Sequence, residues 1–526
     1  MPPAPSHSRT RSAILVLATM MCGVLSACAG SDRAAHHATH RTLRVGLPDG
    51  VVRLSPYGVA ADDWLAAGVM YEGLVDIDTA DAVVPALARA WAQQDTTRYR
   101  FWLRTGVRFS DGTQLTARDV VASWTAGLTS DDRADVLGGG MAMIAGARDV
   151  ADGRTTHIRG VSAVDDTTLD VTLESPRAGF LRMLASRTFD VWRPGTPPIG
   201  TGPWRFVQRS PDSTIARSVR YVRRDDYWGS RAGYDSLELR YVAPNAFATA
   251  LVNEQIDCAP IQNYGQLREL ALDARVVLPP SQQVNLARVI FNHRSPRLRD
   301  PDVRRAIQRV LDVPALSTLL VLRNVEPWRS ALPPQRSIAR SVAFPVRDDS
   351  TARRLLAGRF DAQRDTLRVA TWSETARDTS RTIAAAIAAQ LERFGLPARV
   401  VPTGVYDADI GLGEIDLSIE VWYPTTLDAE SFLTEQFHST QSSPYANSGG
   451  FADRDVDAAI ERLQRTTDTT ARRRLVQSID SLLADRAALQ PLWLETMMTA
   501  HHRDITQCVL SPSRSRFLEA RPIVAR

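Results

Sequence analysis

The sequence predicts an α/β chain of two or three domains, and three observations carry that prediction. At 526 residues, the chain greatly exceeds the size at which one hydrophobic core stops growing. Short stretches alternate apolar and polar residues with period two, whereas longer ones repeat apolar residues at helical spacing. Both kinds recur along the chain, so it reads as mixed α and β. A hydrophobic content of 44% and a charged content of 23% are ordinary globular values.

Taken in order, residues 42–46 form a first strand and 48–56 a loop. Tyr99, Phe101 and Leu103 alternate with Arg100, Trp102 and Arg104, which predicts a strand with one buried face. Ser110-Asp111-Gly112 supplies a turn, and Thr116 caps a helix running through Asp119, Val120 and Trp124. Leu169, Val171 and Leu173 form another alternation that ends before Pro176. Gly200 to Arg205 enters a strand, and Leu237, Leu239 and Tyr241 alternate later. Asp300 precedes Pro301, with Val303, Ala306, Ile307, Val310 and Leu311 on one helical face. Ile383, Ile387, Leu391 and Phe394 form a second such face, which Gly395 and Pro397 stop. Val456, Ile460 and Leu463, then Leu475, Ile479 and Leu482, form two more.

The N-terminus precedes this fold. Arg9 and Arg11 give a positive start, residues 13–24 are apolar but too short to cross a bilayer comfortably, and Leu25-Ser26-Ala27 leads to Cys28. This reads as a lipoprotein signal over residues 1–27, lipidated at Cys28, with 28–41 as a polar tether. An ordinary secretory signal with an incidental Cys28 is the alternative, and either reading exports the chain. Multiple acylation would make a stable anchor where one chain would not. Cys22 leaves with the signal, so Cys258 and Cys508 remain in the body, either paired in an oxidising compartment or as two separate buried thiols.

The 63 basic residues, which read as arginine throughout, exceed the 59 acidic ones for a net charge of +4. No basic block with interleaved aromatics appears, so no nucleic-acid partner is expected. Metalloprotease, hydrolase-elbow, phosphate-loop and Cys-x-x-Cys spacings are all missing, so no catalytic residue, cofactor or metal is expected. His36, His37 and His40 lie in the tether, His438 stands alone, and Gly138-Gly139-Gly140 reads as a turn. An exported multidomain body with 11 tryptophans and no reactive constellation has the profile of a binder.

Several local patterns then coincide in order. They are Tyr71-Glu72-Gly73-Leu74; Pro85-Ala86-Leu87-Ala88 with Trp91; Phe101-Trp102-Leu103-Arg104; Val107 to Gly112; Thr116 to Val120; Gly200-Thr201-Gly202-Pro203; Asp225 to Gly229; Asn253 to Asp257; and Asp300 to Ile307. Together they resemble the family 5 solute-binding lipoproteins of peptide and nickel ABC importers. The resemblance implies a two-lobed periplasmic-binding-protein-like fold of the class II, cluster C type, with an extra third domain on lobe I. On this chain, lobe I takes residues 42–70, 190–278 and 491–526, the extra domain 71–189, and lobe II 279–490. Cys258 and Cys508 then share a lobe.

The family's peptide binders carry a GWxxDxxDPxxF segment, which here reads Val421 to Phe432. The resemblance makes Trp422 and Tyr423 pocket aromatics, Thr425 a polar contact in the amine-anchoring position, and Asp428 the second acid. The facing lobe I strand is expected over Tyr57, Val59, Ala60 and Ala61. With Thr425 in place of an aspartate, an α-ammonium loses its ion pair, so Asp428 or Glu420 would have to substitute, or the ligand lacks an ammonium. The partners implied are a peptide or small-molecule ligand, an ABC permease and its ATPase. The protein is expected to be a monomer at the periplasm or the outer face of the cytoplasmic membrane. A sensory lipoprotein of the same fold, uncoupled from import, is the competing reading.

Overall fold

The computed structural model describes residues 42–48, 50–51, 53–57, 61–78, 82–195, 198–210, 217–261, 264–320, 325–334, 343–371, 377–402, 414–422, 429–441, 446–506 and 508. The signal, Cys28 and the tether lie outside them, as do Val59, Ala60, Tyr423, Thr425 and Asp428.

The chain begins with β1 (Thr42–Leu47) and helix α1 (Ala61–Gly68). A small domain follows, built from β2 (Ala88–Gln93), β3 (Arg98–Leu103), α2 (Ala117–Leu128), β4 (Val161–Ala163) and β5 (Thr168–Thr172). Its four strands form an antiparallel sheet in the order β2-β3-β5-β4. Tyr99, Phe101 and Leu103 turn inward from β3 against Leu169 and Val171, as the alternation predicts. The backbone N–H and hydroxyl of Thr116 both donate to the Asp119 carboxylate at 2.8 Å, which fixes the start of α2. Gly138 closes a short helix and Gly140 adopts φ +115°, so the glycine triplet is a turn.

The principal elements that follow are β6 (Trp204–Ser210), β7 (Ser218–Arg223), β8 (Ser236–Tyr241), β9 (Cys258–Ile261), β10 (Pro280–Phe291), α3 (Pro301–Val310), β11 (Leu367–Thr371), α4 (Arg377–Phe394), β12 (Ala398–Pro402), β13 (Leu417–Trp422), α5 (Ala429–Phe437), α6 (Arg454–Arg465), α7 (Thr469–Asp485) and β14 (Leu489–His502). With β1 they form one mixed sheet in the order β6-β7-β8-β1-β9-β14-β10-β13-β11-β12, and two short strands pair with β14 to make twelve. Two strands join its halves. The end of β14 pairs with β9, Cys258 opposite His501, while its beginning pairs antiparallel with β10, Ile290 opposite Leu489.

Period two decides how the second half is packed. Ala287, Val289 and Phe291 of β10 enter a core made with α3 and α4, and Ile290 enters the opposite core under α5, α6 and α7. The expected faces of α3 and α6 are buried, and α3 is capped by Asp300, which accepts from the Asp302 N–H at 2.8 Å. In α4, Ile383, Ile387 and Leu391 are buried and Phe394 is partly so; the helix ends there, before Gly395 at φ +97°. The face of α7 is displaced: Val476, Ile479 and Leu483 are buried, whereas Leu475 and Leu482 are partly buried flanks. Both sets have helical spacing, and docking against α6 selects between them.

The first half of the sheet has its own core, from Leu43 and Val45 to Leu237, Leu239 and Cys258. Cys258 and Cys508 are joined as a disulfide with Cα atoms 6.4 Å apart. Among the described residues, no helix is long and apolar enough to cross a membrane.

Candidate ligand site and domain seams

The sequence places the candidate site where β13 runs out into residues 423–428. Trp422, the last residue of β13, is 8% exposed and meets Phe432 of α5 edge-on, with ring centroids 4.5 Å apart. Tyr423, Thr425 and Asp428 lie in the following segment, outside the described residues.

Cross-strand register builds a polar cluster beneath Trp422. Leu286 pairs with Trp422 and Arg288 with Glu420, so the second pair lies one step deeper on the same face. Arg288 Nη2 donates to Glu420 Oε2 at 3.1 Å and to Gln436 Oε1 of α5, and the guanidinium stands 6.0 Å from the centre of the Phe432 ring. Ser448 Oγ donates to Glu420 Oε1 at 2.7 Å. Both Glu420 oxygens are therefore engaged. This corrects the expectation that Glu420 could substitute as an amine anchor: it neutralises a buried arginine instead. On α5, Glu435 accepts from Gln436 Nε2 at 3.0 Å, and desolvation pushes its carboxyl up to about 7. His293, buried nearby with Nε2 3.0 Å from the Ala488 carbonyl, is pulled down to about 4 by burial and so is neutral at pH 7.

The facing segment differs from expectation. Residues 55–57 form a turn and Ala61 opens α1, so the described part of this stretch is not a strand. Tyr57 is 7% exposed and packs into the small-domain core; its hydroxyl accepts from Trp192 Nε1 at 3.3 Å. Tyr57 thus packs against the small domain from a turn, where a strand was expected. His438, expected to stand alone, sits 3.9 Å from Asp457 and 3.8 Å from Glu461.

The motifs scattered along the sequence converge elsewhere, at the seam between the small domain and the first half of the sheet. Arg224, 5% exposed, donates to the carbonyls of Arg108 (2.9 Å), Phe109 (3.1 Å), Thr201 (3.0 Å) and Gly202 (3.1 Å), and to both Asp226 oxygens. Glu72, fully buried, accepts from Tyr227 Oη at 2.7 Å and Trp228 Nε1 at 2.9 Å. Arg104 covers the Trp228 ring at 4.6 Å. The glycines of Gly200-Thr201-Gly202 are needed because the Met70 backbone passes so close: a Cβ would lie 2.1 Å from the Met70 oxygen at Gly200 and 2.6 Å from it at Gly202. These landmarks are joinery between domains.

Sequence reasoning missed the buried Arg224 and Arg288. In a chain with arginine at every basic position, no composition signal marks the buried ones.

Comparison with known proteins agrees with this architecture. The family described as bacterial extracellular solute-binding proteins, family 5 Middle, matches residues 82–444. The glutathione-binding protein GsiB of Escherichia coli O6:K15:H31 is 24% identical over 499 residues, covering 90% of this chain and 92% of that protein. The probable deoxycholate-binding periplasmic protein YgiS of Escherichia coli K12 is 26% identical over 476 residues, covering 82% of this chain and 83% of its own. The Helicobacter pylori periplasmic binding protein DppA in complex with peptide STSA shares the fold at a TM-score of 0.78 and 20% identity, over 92% of this chain and 98% of that one. A two-lobed α/β binding-protein fold thus underlies the seams and the joined sheet. The chain belongs to the bacterial extracellular solute-binding proteins of family 5.

Proposed function

We propose that the protein is a membrane-anchored receptor that captures a peptide-like or other small solute between two lobes and presents it to an ABC permease. The match to a solute-binding family across residues 82–444 carries this reading. In it, lobe I comprises residues 42–70, 190–278 and 491–526, lobe II residues 279–490, and the small domain 71–189. Cys28 carries the lipid. The long strands β10 and β14 are the crossing segments about which the lobes close. Ligand touching both lobes stabilises the closed state by more than the open one, and only that difference shifts the population.

Trp422, Tyr423, Thr425 and Asp428 then form the lobe II side of the pocket, with Val59 and Ala60 opposite. The buried Glu420 is not available, which leaves Asp428 to meet an ammonium if the ligand has one. Relatives named for glutathione and for deoxycholate carry anionic ligands of very different shape, so the class of solute is decided by experiment. Mass spectrometry of natively extracted protein identifies what co-purifies. Titration with glutathione, dipeptides and deoxycholate, read by tryptophan fluorescence, should give saturable binding for the class recovered. Trp422→Ala should weaken that binding about tenfold or more, the scale of losing an aromatic anchor. Unchanged affinity in Trp422→Ala would remove Trp422 from the site, and protein that neither carries nor binds any solute would overturn the receptor reading.

A further inference from the structure

Among the described residues, the small domain touches the far half of the molecule at a place that the motifs do not mark. Arg177, in the loop between β5 and the short helix Phe180–Met183, reaches Glu430 in the first turn of α5, with Nη1 3.8 Å from Oε1. Beside it the Ala178 N–H meets the Gln464 carbonyl at the end of α6, at 3.4 Å. Glu430 is 2% exposed, and its other oxygen, Oε2, accepts from both Arg472 Nη atoms at 3.3 Å. Arg472 is itself fixed by the Leu463 and Thr466 carbonyls at 2.9 and 3.1 Å. One carboxylate therefore holds two cations, one from its own lobe and one from the opposite side.

The two cations are not equivalent. Arg472 is built into the helical layer, whereas Nε and Nη1 of Arg177 are buried without a hydrogen-bond partner. Burial lowers the Arg177 pKa, while the Glu430 charge opposes that shift. Its attraction to Glu430 is thus largely offset by lost hydration. Such a contact holds weakly and releases easily, and on opening Arg177 would regain water while Glu430 keeps Arg472.

We propose that Arg177 and Glu430 form a closure latch: an interlobe ion pair that biases the protein towards the closed state without locking it. This rests on the hinge-closing reading above. The latch carries no ligand contact of its own, and it works because the small domain is fixed to lobe I and moves with it.

The test uses the full chain without ligand, spin-labelled at Asp152→Cys and Asp485→Cys, with interlobe distances measured by double electron–electron resonance. Arg177→Glu places like charges together and should lower the closed-to-open ratio about tenfold or more. Arg177→Gln, which removes attraction without adding repulsion, should shift it the same way by about threefold. Adding Glu430→Gln to Arg177→Glu should recover most of the loss, because the repulsion is gone. Distance distributions of Arg177→Glu that superimpose on those of the unsubstituted protein would overturn the latch, as would a shift that persists unchanged in the double variant. Since no ligand enters the readout, a protein that binds solute but ignores Arg177→Glu sinks the latch alone. One whose distances respond while no solute binds sinks the receptor reading alone.

Discussion

The small domain is joined to its two neighbours by seams of opposite character. Towards lobe I, a buried guanidinium satisfies four backbone carbonyls and a carboxylate, and a buried Glu72 ties down Tyr227 and Trp228. Towards lobe II, Arg177, with unsatisfied nitrogens, faces the Glu430 carboxylate at 3.8 Å beside the long Ala178–Gln464 backbone hydrogen bond. At the first seam the charged groups that separation would expose, Arg224 and Glu72, each have specific partners to lose, although Thr201 Oγ1 is buried without one. At the second, separation returns water to a group that lacks it. In the proposed hinge motion, this contrast sets where the molecule opens: the more fully satisfied polar network makes the rigid joint and the half-satisfied one the movable joint.

The largest effect should come from breaking the rigid seam. Arg224→Met keeps the volume but leaves four buried carbonyls and Asp226 without their donor, which should cost about 3 kcal/mol or more in a denaturant titration. A loss below about 1 kcal/mol would mean that the two seams are alike after all.

Acid separates the regions further. Hydrogen bonding to Arg224 holds the Asp226 carboxyl below its ordinary value, so that seam keeps its charge at mildly acid pH and loses it only as pH falls through that lowered value. Lobe II carries the groups that titrate between. Glu435, raised to about 7, binds a proton in the folded state that the unfolded chain lacks, so its contribution is present below the ordinary glutamate value and is lost as pH rises through about 7. His293, lowered to about 4, refuses a proton that the unfolded chain accepts, so its contribution is present above the ordinary histidine value and is lost as pH falls through about 4. From roughly pH 4.5 to 6.5 the two slopes oppose each other. Glu435→Gln should unmask His293, giving a stability that rises with pH by up to about 1.4 kcal/mol per unit in that window. A profile that keeps the wild-type slope would place the titration elsewhere.

The smallest effect is a control that touches neither seam. Glu254 sits at φ +56° in the turn before Asp257, a left-handed conformation that favours glycine. Its carbonyl accepts from Arg44 Nη1 at 2.6 Å, a bond that glycine keeps, and its side chain adds only charge near Arg44 and Arg275. Glu254→Gly should raise the melting temperature slightly, corresponding to about 0.5–1 kcal/mol, with interlobe distances unchanged. Altered distances would show that lobe I strain does reach the joints.

Much of the local structure was legible in advance because it depends on neighbours in sequence. The alternation in β3, the Thr116 cap on α2, the Asp300-Pro301 start of α3 and the stop at Gly395 follow from side-chain periodicity and backbone chemistry within a few residues. The face of α7 was misread by one position, since two overlapping apolar stripes satisfy the same period and only packing chooses between them. Tyr57 was misassigned for a related reason, because nothing near it in the chain tells that Trp192 receives it.

The sequence by itself determined the family, the alternation of elements and the lack of catalytic spacings, all of which are properties of residue order. Tertiary structure alone decided that Glu420 belongs to Arg288, that Glu72 and Arg224 gather four separated motifs into one joint, and that Arg177 crosses to Glu430. The pairings of Glu420 with Arg288, Glu72 with Trp228, Arg224 with Phe109 and Arg177 with Glu430 join residues more than a hundred positions apart. Their energy depends on burial and on which polar atoms find partners, and neither quantity exists until the chain has folded.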